Sequence, residues 1–101
     1  LIQHIVLFQF NDQTTEEQKK EGARRLCHLI HELPGILNIY AGQNYSTRGK
    51  GYSMALTVLF RTEEDHQHYT PSKEHQAVVS YLKSVGLVDS LAVDFKIPSE
   101  L

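Results

Sequence analysis

The chain has one cysteine, no apolar stretch long enough to span a bilayer, and no marked excess of either charge. The single thiol, Cys27, excludes an internal disulfide and fits a reducing compartment, so a cytoplasmic location is expected. A membrane helix needs about 20 apolar residues in a row; no run approaches that, and no membrane partner is expected. A formal net charge of -2 offers no basic surface to attract nucleic acid. The opening Leu1-Ile2-Gln3-His4 lacks the basic and apolar regions of a signal peptide. Arg48-Gly49-Lys50-Gly51 is too short for a phosphate-binding loop and suits a strand connection. No serine sits in a nucleophile-elbow context. Linkers, repeats and low-complexity tracts are also missing.

What is present is an ordinary globular composition over 101 residues, 41% hydrophobic and 22% charged. That length supports one domain, residues 1–101, whose modest core would gain stability from a partner chain. Residues 2–10 are β-branched and aromatic and predict a strand. Thr14 and Glu17 suggest a capping box opening a helix. Its buried stripe would be Ala23, Leu26, Cys27, Ile30 and Leu33, with Cys27 inert, and Pro34-Gly35 would stop it. Residues 36–44 and 52–60 predict two more strands. Thr62 caps a short helical turn ending at Tyr69. Thr70-Pro71 breaks it, and a new helix is expected from there, with Val78, Tyr81, Leu82 and Val85 on its apolar stripe and Gly86 as its stop. Residues 90–97 close the pattern as a last strand.

The order β-α-β-β-α-β is that of an α+β, ferredoxin-like unit, a four-stranded antiparallel sheet with helices on one face. Both sheet faces are apolar. Val6, Phe8 and Phe10 oppose Ile5 and Leu7; Met54, Leu56, Val58 and Phe60 oppose Ala55 and Leu59. Helices cover one face only, so the other, extended by Leu91, Val93 and Phe95, predicts a homodimer that closes as a dimeric α+β barrel.

Six histidines are many for this length. His28 and His31 share a helix face at i, i+3, but only Glu32 offers itself as a third ligand, so they are read as solvated and no metal is expected. His66 and His68 are read as surface. His4 lies in the apolar row with Val6 and Phe8, where it must be hydrogen-bonded or face a cavity. Tyr69 and His75 flank the Thr70-Pro71 bend. A histidine there could exchange protons near neutral pH, and a neighbouring tyrosine could orient it or polarise a carbonyl.

The motif series His4-Ile5-Val6-Leu7-Phe8, Pro34-Gly35-Ile36, Gly42-Gln43-Asn44 with Ser46, Gly51-Tyr52, Phe60 through Tyr69 to His75, Val78-Val79 and Val93-Asp94-Phe95 resembles the stress-responsive dimeric α+β barrel (Dabb) family over nearly the whole chain. The resemblance implies the same fold and a dimer. It also implies two kinds of role, because the family holds both stress-induced proteins without assigned catalysis and a plant polyketide cyclase. That cyclase works without a cofactor, by a histidine base and a nearby tyrosine. Its Tyr-x5-His spacing is similar to Tyr69–His75 here, and its strand-one histidine to His4. This chain departs from it at Met54, where the cyclase has a second pocket histidine, and at Ser72-Lys73, where it has His-Pro.

Two functions follow as expectations. One is a cofactor-free cyclase or lyase of intramolecular aldol type. His75 would be its base, Tyr69 its partner and His4 a substrate contact, with Phe8, Met54 and Leu56 lining a slot for a hydrophobic acyl or polyketide ligand. The other is a non-catalytic stress-responsive or small-ligand-binding dimer. A haem enzyme of the same architecture ranks last, since no histidine is marked out as an axial ligand.

Overall fold

The computed structural model describes residues 1–98. Its elements run β1 (Ile2–Phe10), α1 (Glu16–His28), a single 3₁₀ turn (Leu29–His31), β2 (Ile36–Gln43), β3 (Met54–Phe60), α2 (Glu63–Tyr69), α3 (Lys73–Ser84) and β4 (Leu87–Lys96). The expected four-stranded sheet forms in the order β2-β3-β1-β4, every pair antiparallel. Among the described residues, no helix is long and apolar enough to cross a membrane.

Strict alternation makes β1 the organiser. Ile2, His4, Val6, Phe8 and Phe10 turn toward the helices and are buried, while Gln3, Ile5, Leu7 and Gln9 face the other way. β3 repeats the pattern with Met54, Leu56, Val58 and Phe60. Leu26 and Leu29 from the first helical segment, Tyr69 from α2, and Val78 and Leu82 from α3 complete one core on that face. On the opposite face Leu91, Val93 and Phe95 are about half exposed. They continue the row of Leu7, Ile5 and Gln3, with which they pair.

Several boundaries differ from those read in the sequence, each for a local reason. The cap of α1 is Thr15, reciprocally bonded with Gln18. Thr14 instead turns inward, and its hydroxyl donates to the Val85 carbonyl at 2.6 Å. α1 proper ends at His28 and tightens into the 3₁₀ turn before Pro34-Gly35 is reached. Tyr52 closes a turn onto the Gly49 carbonyl, so β3 starts at Met54. α3 is capped by the Ser72 side chain, so Pro71 stands just outside the helix. β4 begins at Leu87 because the chain leaves α3 directly into pairing with Phe10.

That last connection depends on Gly86. Its φ is +119°, and a Cβ there would sit 2.3 Å from the Thr14 hydroxyl and within 3 Å of the Asn11 amide. Its carbonyl accepts from the Asn11 N–H at 2.9 Å. Gly86→Ala would impose backbone strain and a clash together. It should lower unfolding free energy by about 1–3 kcal/mol, measured by urea denaturation, with the slope of the transition unchanged.

Candidate functional site

The corner between α2 and α3 brings the tyrosine and histidine of the Tyr-x5-His spacing together. Ser72 is the hinge pin. Its hydroxyl donates to the Tyr69 carbonyl at 2.7 Å and accepts from the His75 N–H at 3.2 Å. The two rings meet at 4.5 Å between centroids, tilted by 48°. His75 Nδ1 lies 2.9 Å from the Thr70 carbonyl oxygen. A carbonyl only accepts, so Nδ1 carries a proton, and in the neutral ring Nε2 keeps its lone pair free. Burial lowers the His75 pKa from its ordinary 6.5; the Thr70 bond opposes this and the nearby charge of His4 adds to it. The outcome is a neutral imidazole at pH 7, able to take a proton through Nε2.

Tyr69 is 2% exposed. Its hydroxyl is buried and finds no hydrogen-bond partner among the described residues. Burial first, and then the Cys27 thiol, push its pKa far above the ordinary 10, so the phenol remains a proton donor at any physiological pH. Leaving such a group unpaired costs about 1–3 kcal/mol.

The sheet supplies the rest of the cluster. His4 stands directly opposite Asp94 in the ladder, and its Nδ1 bonds the Asp94 carboxylate. The His4 ring lies 5.8 Å from Tyr69 and 4.8 Å from His66. His66 stacks on Phe60 at 5.0 Å and 23°, with Nε2 3.8 Å from Asp94 Oδ1. Burial and the charge of His4 lower the His66 pKa, against the opposing pull of Asp94 and Glu63. His75, Tyr69, His4 and His66 therefore form one run of rings ending at a carboxylate. A cleft of ≈150 Å³ opens onto that end, lined by His66, Asp94, Glu63, Lys96, Ile2 and Phe95.

His4, Tyr69 and His75 are thus brought together. Phe8, Met54 and Leu56 are 5%, 0% and 2% exposed and pack within the core. His28 binds Glu32 at 3.0 Å on the outer face of the first helix, and His31 is exposed beside it. His66 is not a surface residue: its side chain is 17% exposed. The signal was its i, i+3 spacing from Tyr69, which puts both on the inward side of α2, whereas His68 points out. Asp94 was also missed as a site residue, although alternation between Val93 and Phe95 sends it to the helix side of β4.

Residues 2–97 match the family described as the stress responsive A/B barrel domain. Olivetolic acid cyclase of Cannabis sativa is 28% identical over 76 residues, covering 73% of this chain and 75% of that protein. A dimeric ferredoxin-like protein of unknown function from Thermobifida fusca aligns with a TM-score of 0.81 at 26% identity, over 95% of this chain and 90% of that one. A hydroxynitrile lyase from Passiflora edulis aligns with a TM-score of 0.82 over 99% and 95% of the two chains, but at 14% identity, a likeness of fold alone.

The depressed pKa values of His66 and His75 have a consequence for stability. The unfolded chain takes up protons on these rings near 6.5, while the fold resists. Stability is therefore fully present above pH 6.5 and falls as pH drops through the lower folded-state values. Urea midpoints measured from pH 7.5 down to about pH 5, above the main carboxylate range, should decline, and His75→Gln should flatten that slope. A slope unchanged in the variant would show that His75 titrates alike in both states.

Proposed function

Since this chain belongs to the stress responsive A/B barrel family, we propose that it is a homodimeric, cofactor-independent lyase or cyclase acting on a carbon acid, with His75 as the base and Tyr69 as the acid. The observation that carries this reading is the buried, unpartnered Tyr69 hydroxyl, in ring contact with a histidine whose tautomer leaves Nε2 free. An unsatisfied buried donor calls for an explanation, and a catalytic role is one of the few available.

In the proposed chemistry, His75 Nε2 takes a proton from a carbon flanked by two carbonyls. Such a proton is already acidic, so a neutral imidazole suffices. The resulting enolate carbon attacks a second carbonyl of the same molecule, forming the carbon–carbon bond. The oxygen that gains charge takes a proton from the Tyr69 hydroxyl, and the phenolate recovers one from the His75 imidazolium. His4, held by Asp94, would contact a substrate oxygen through its other ring nitrogen. Phe8, Met54 and Leu56 form the apolar layer that an acyl tail would meet. The likeness to olivetolic acid cyclase, with the resemblance to a polyketide cyclase read in the sequence, favours a linear poly-β-keto thioester as the substrate class.

One observation favours a second reading, a non-catalytic stress-type or small-ligand-binding dimer. The near-complete burial of Phe8, Met54 and Leu56 fills the space that an acyl slot would use. The two readings separate in the Tyr69→Phe variant. Removing an unpaired buried hydroxyl should leave the thermal midpoint unchanged or raise it. In a lyase it should also cut kcat on a β-keto thioester by about 10²–10⁴-fold, as should His75→Gln. Full turnover in both variants would dismiss the lyase reading.

The dimer is supported by the apolar face bearing Leu91, Val93 and Phe95 and by the dimeric structural relatives. Light scattering at micromolar concentration should give twice the chain mass, and Val93→Asp should give a monomer with a lower, concentration-independent midpoint. A wild-type monomer would remove the dimer from the proposal.

A further inference from the structure

We infer that His4, His66 and Asp94 form a site for a divalent first-row transition ion, with Zn²⁺ the best chemical match. The ligand atoms of these three residues all lie within 4.8 Å of one another. They arrive from three different elements, β1, α2 and β4, so the convergence is tertiary and no sequence spacing announces it. Both imidazoles address the same carboxylate oxygen. His4 Nδ1 is bonded to Asp94 Oδ1, and His66 Nε2 stands 3.8 Å from it. That second distance is too long for a hydrogen bond, so His66 is aimed at the centre of the group without closing on it.

Metal–ligand distances of about 2.0–2.2 Å in a tetrahedron put the ligand atoms about 3.4 Å apart. Reaching that spacing needs only a small inward shift of His66 and an opening of the His4–Asp94 contact as the ion replaces the shared proton. Two imidazole nitrogens and one carboxylate oxygen suit zinc, and also cobalt, nickel and iron, better than calcium or magnesium. The frame is rigid: His4 and Asp94 are fixed by direct pairing in the sheet, and the His66 ring is held by its stack on Phe60. Asp94 is 41% exposed, and the ≈150 Å³ cleft beside it gives an ion both a way in and room for water at the remaining positions. Of the charges around the cleft, Glu63 would help to offset the ion, while Lys96 is engaged with Glu63 at 3.3 Å.

The helical pair His28 and His31 is a natural comparison. Their spacing allows a shared metal but they are read as solvated in the sequence, and the structure has Glu32 bonded to His28 by simple i, i+4 contact on an exposed surface, with neither residue in the converging group.

The site goes beyond the lyase proposal and shares only His4 and its carboxylate partner with it, so it is read without substrate. Chelator-stripped protein would be titrated with Co²⁺, following visible d–d absorption, then with Zn²⁺ in competition, with the thermal midpoint recorded in parallel. The expected result is one equivalent per chain, a Co²⁺ spectrum bleached by Zn²⁺, and a raised midpoint. His66→Phe preserves the stack on Phe60, and His66→Gln preserves polarity; both should weaken binding by at least about tenfold, as should Asp94→Asn. The double variant His28→Ala/His31→Ala should bind as the wild type does. The inference is overturned if the wild type shows no Co²⁺ spectrum, if both His66 variants bind unchanged, or if binding is lost in the His28/His31 double variant. None of these results bears on whether His75 and Tyr69 turn over a substrate.

Discussion

The register of β1 is the constraint on which the rest of the molecule depends. This strand is central, pairing with β3 on one side and β4 on the other. Because side chains alternate, one choice of register sends Ile2, His4, Val6, Phe8 and Phe10 together into the helix layer. A slip of one residue would expose that whole row and bury glutamines. The same register sets His4 opposite both Val58 and Asp94. The apolar core and the polar corner are therefore fixed by one set of backbone hydrogen bonds, and neither can shift without the other.

The strands were legible because their signal is dense. Alternation over nine residues in β1, all β-branched, aromatic or amide types apart from His4 and Leu7, leaves little ambiguity. The caps were less legible. Thr14 and Thr15 are both acceptable helix starts by chemistry. The choice between them was made from the far end of the chain, where the Val85 carbonyl captures the inward-turned Thr14 and Gly86 leaves room for it. Similarly, the i, i+3 spacing from Tyr69 could place His66 rather than His68 on the inward side, but not say what it meets there. That required the position of Phe60 and His4. Asp94 entered the sequence only as part of the Val93-Asp94-Phe95 motif, and its pairing with His4 is what gives it significance. What the sequence could not convey was in each case a contact between segments distant along the chain.

The corner around Tyr69 departs from the economy of the rest. A core closed by Leu26, Leu29, Val78 and Leu82 would be better served by a phenylalanine than by a phenol with no partner. A small domain has little stability to spare, so a group that works against folding stands apart from the rest of the core. The neighbouring histidines have the same character: burial holds His66 and His75 neutral, which stabilises nothing in itself but keeps lone pairs available. Ser72 then locks the tyrosine and histidine into one geometry through a hydroxyl that both donates and accepts.

Most of the cluster comes from one continuous stretch of chain. Phe60 ends β3, His66 and Tyr69 occupy α2, and His75 lies in the first turn of α3, while the other two strands involved contribute His4 and Asp94. The ring cluster is thus carried largely on one stretch of chain laid over the sheet. Exchanging the part of that stretch beyond Phe60 would rewrite the corner while leaving the strand pairing, and the open face behind it, as they were. A scaffold divided in this way can change what its corner presents without renegotiating its fold.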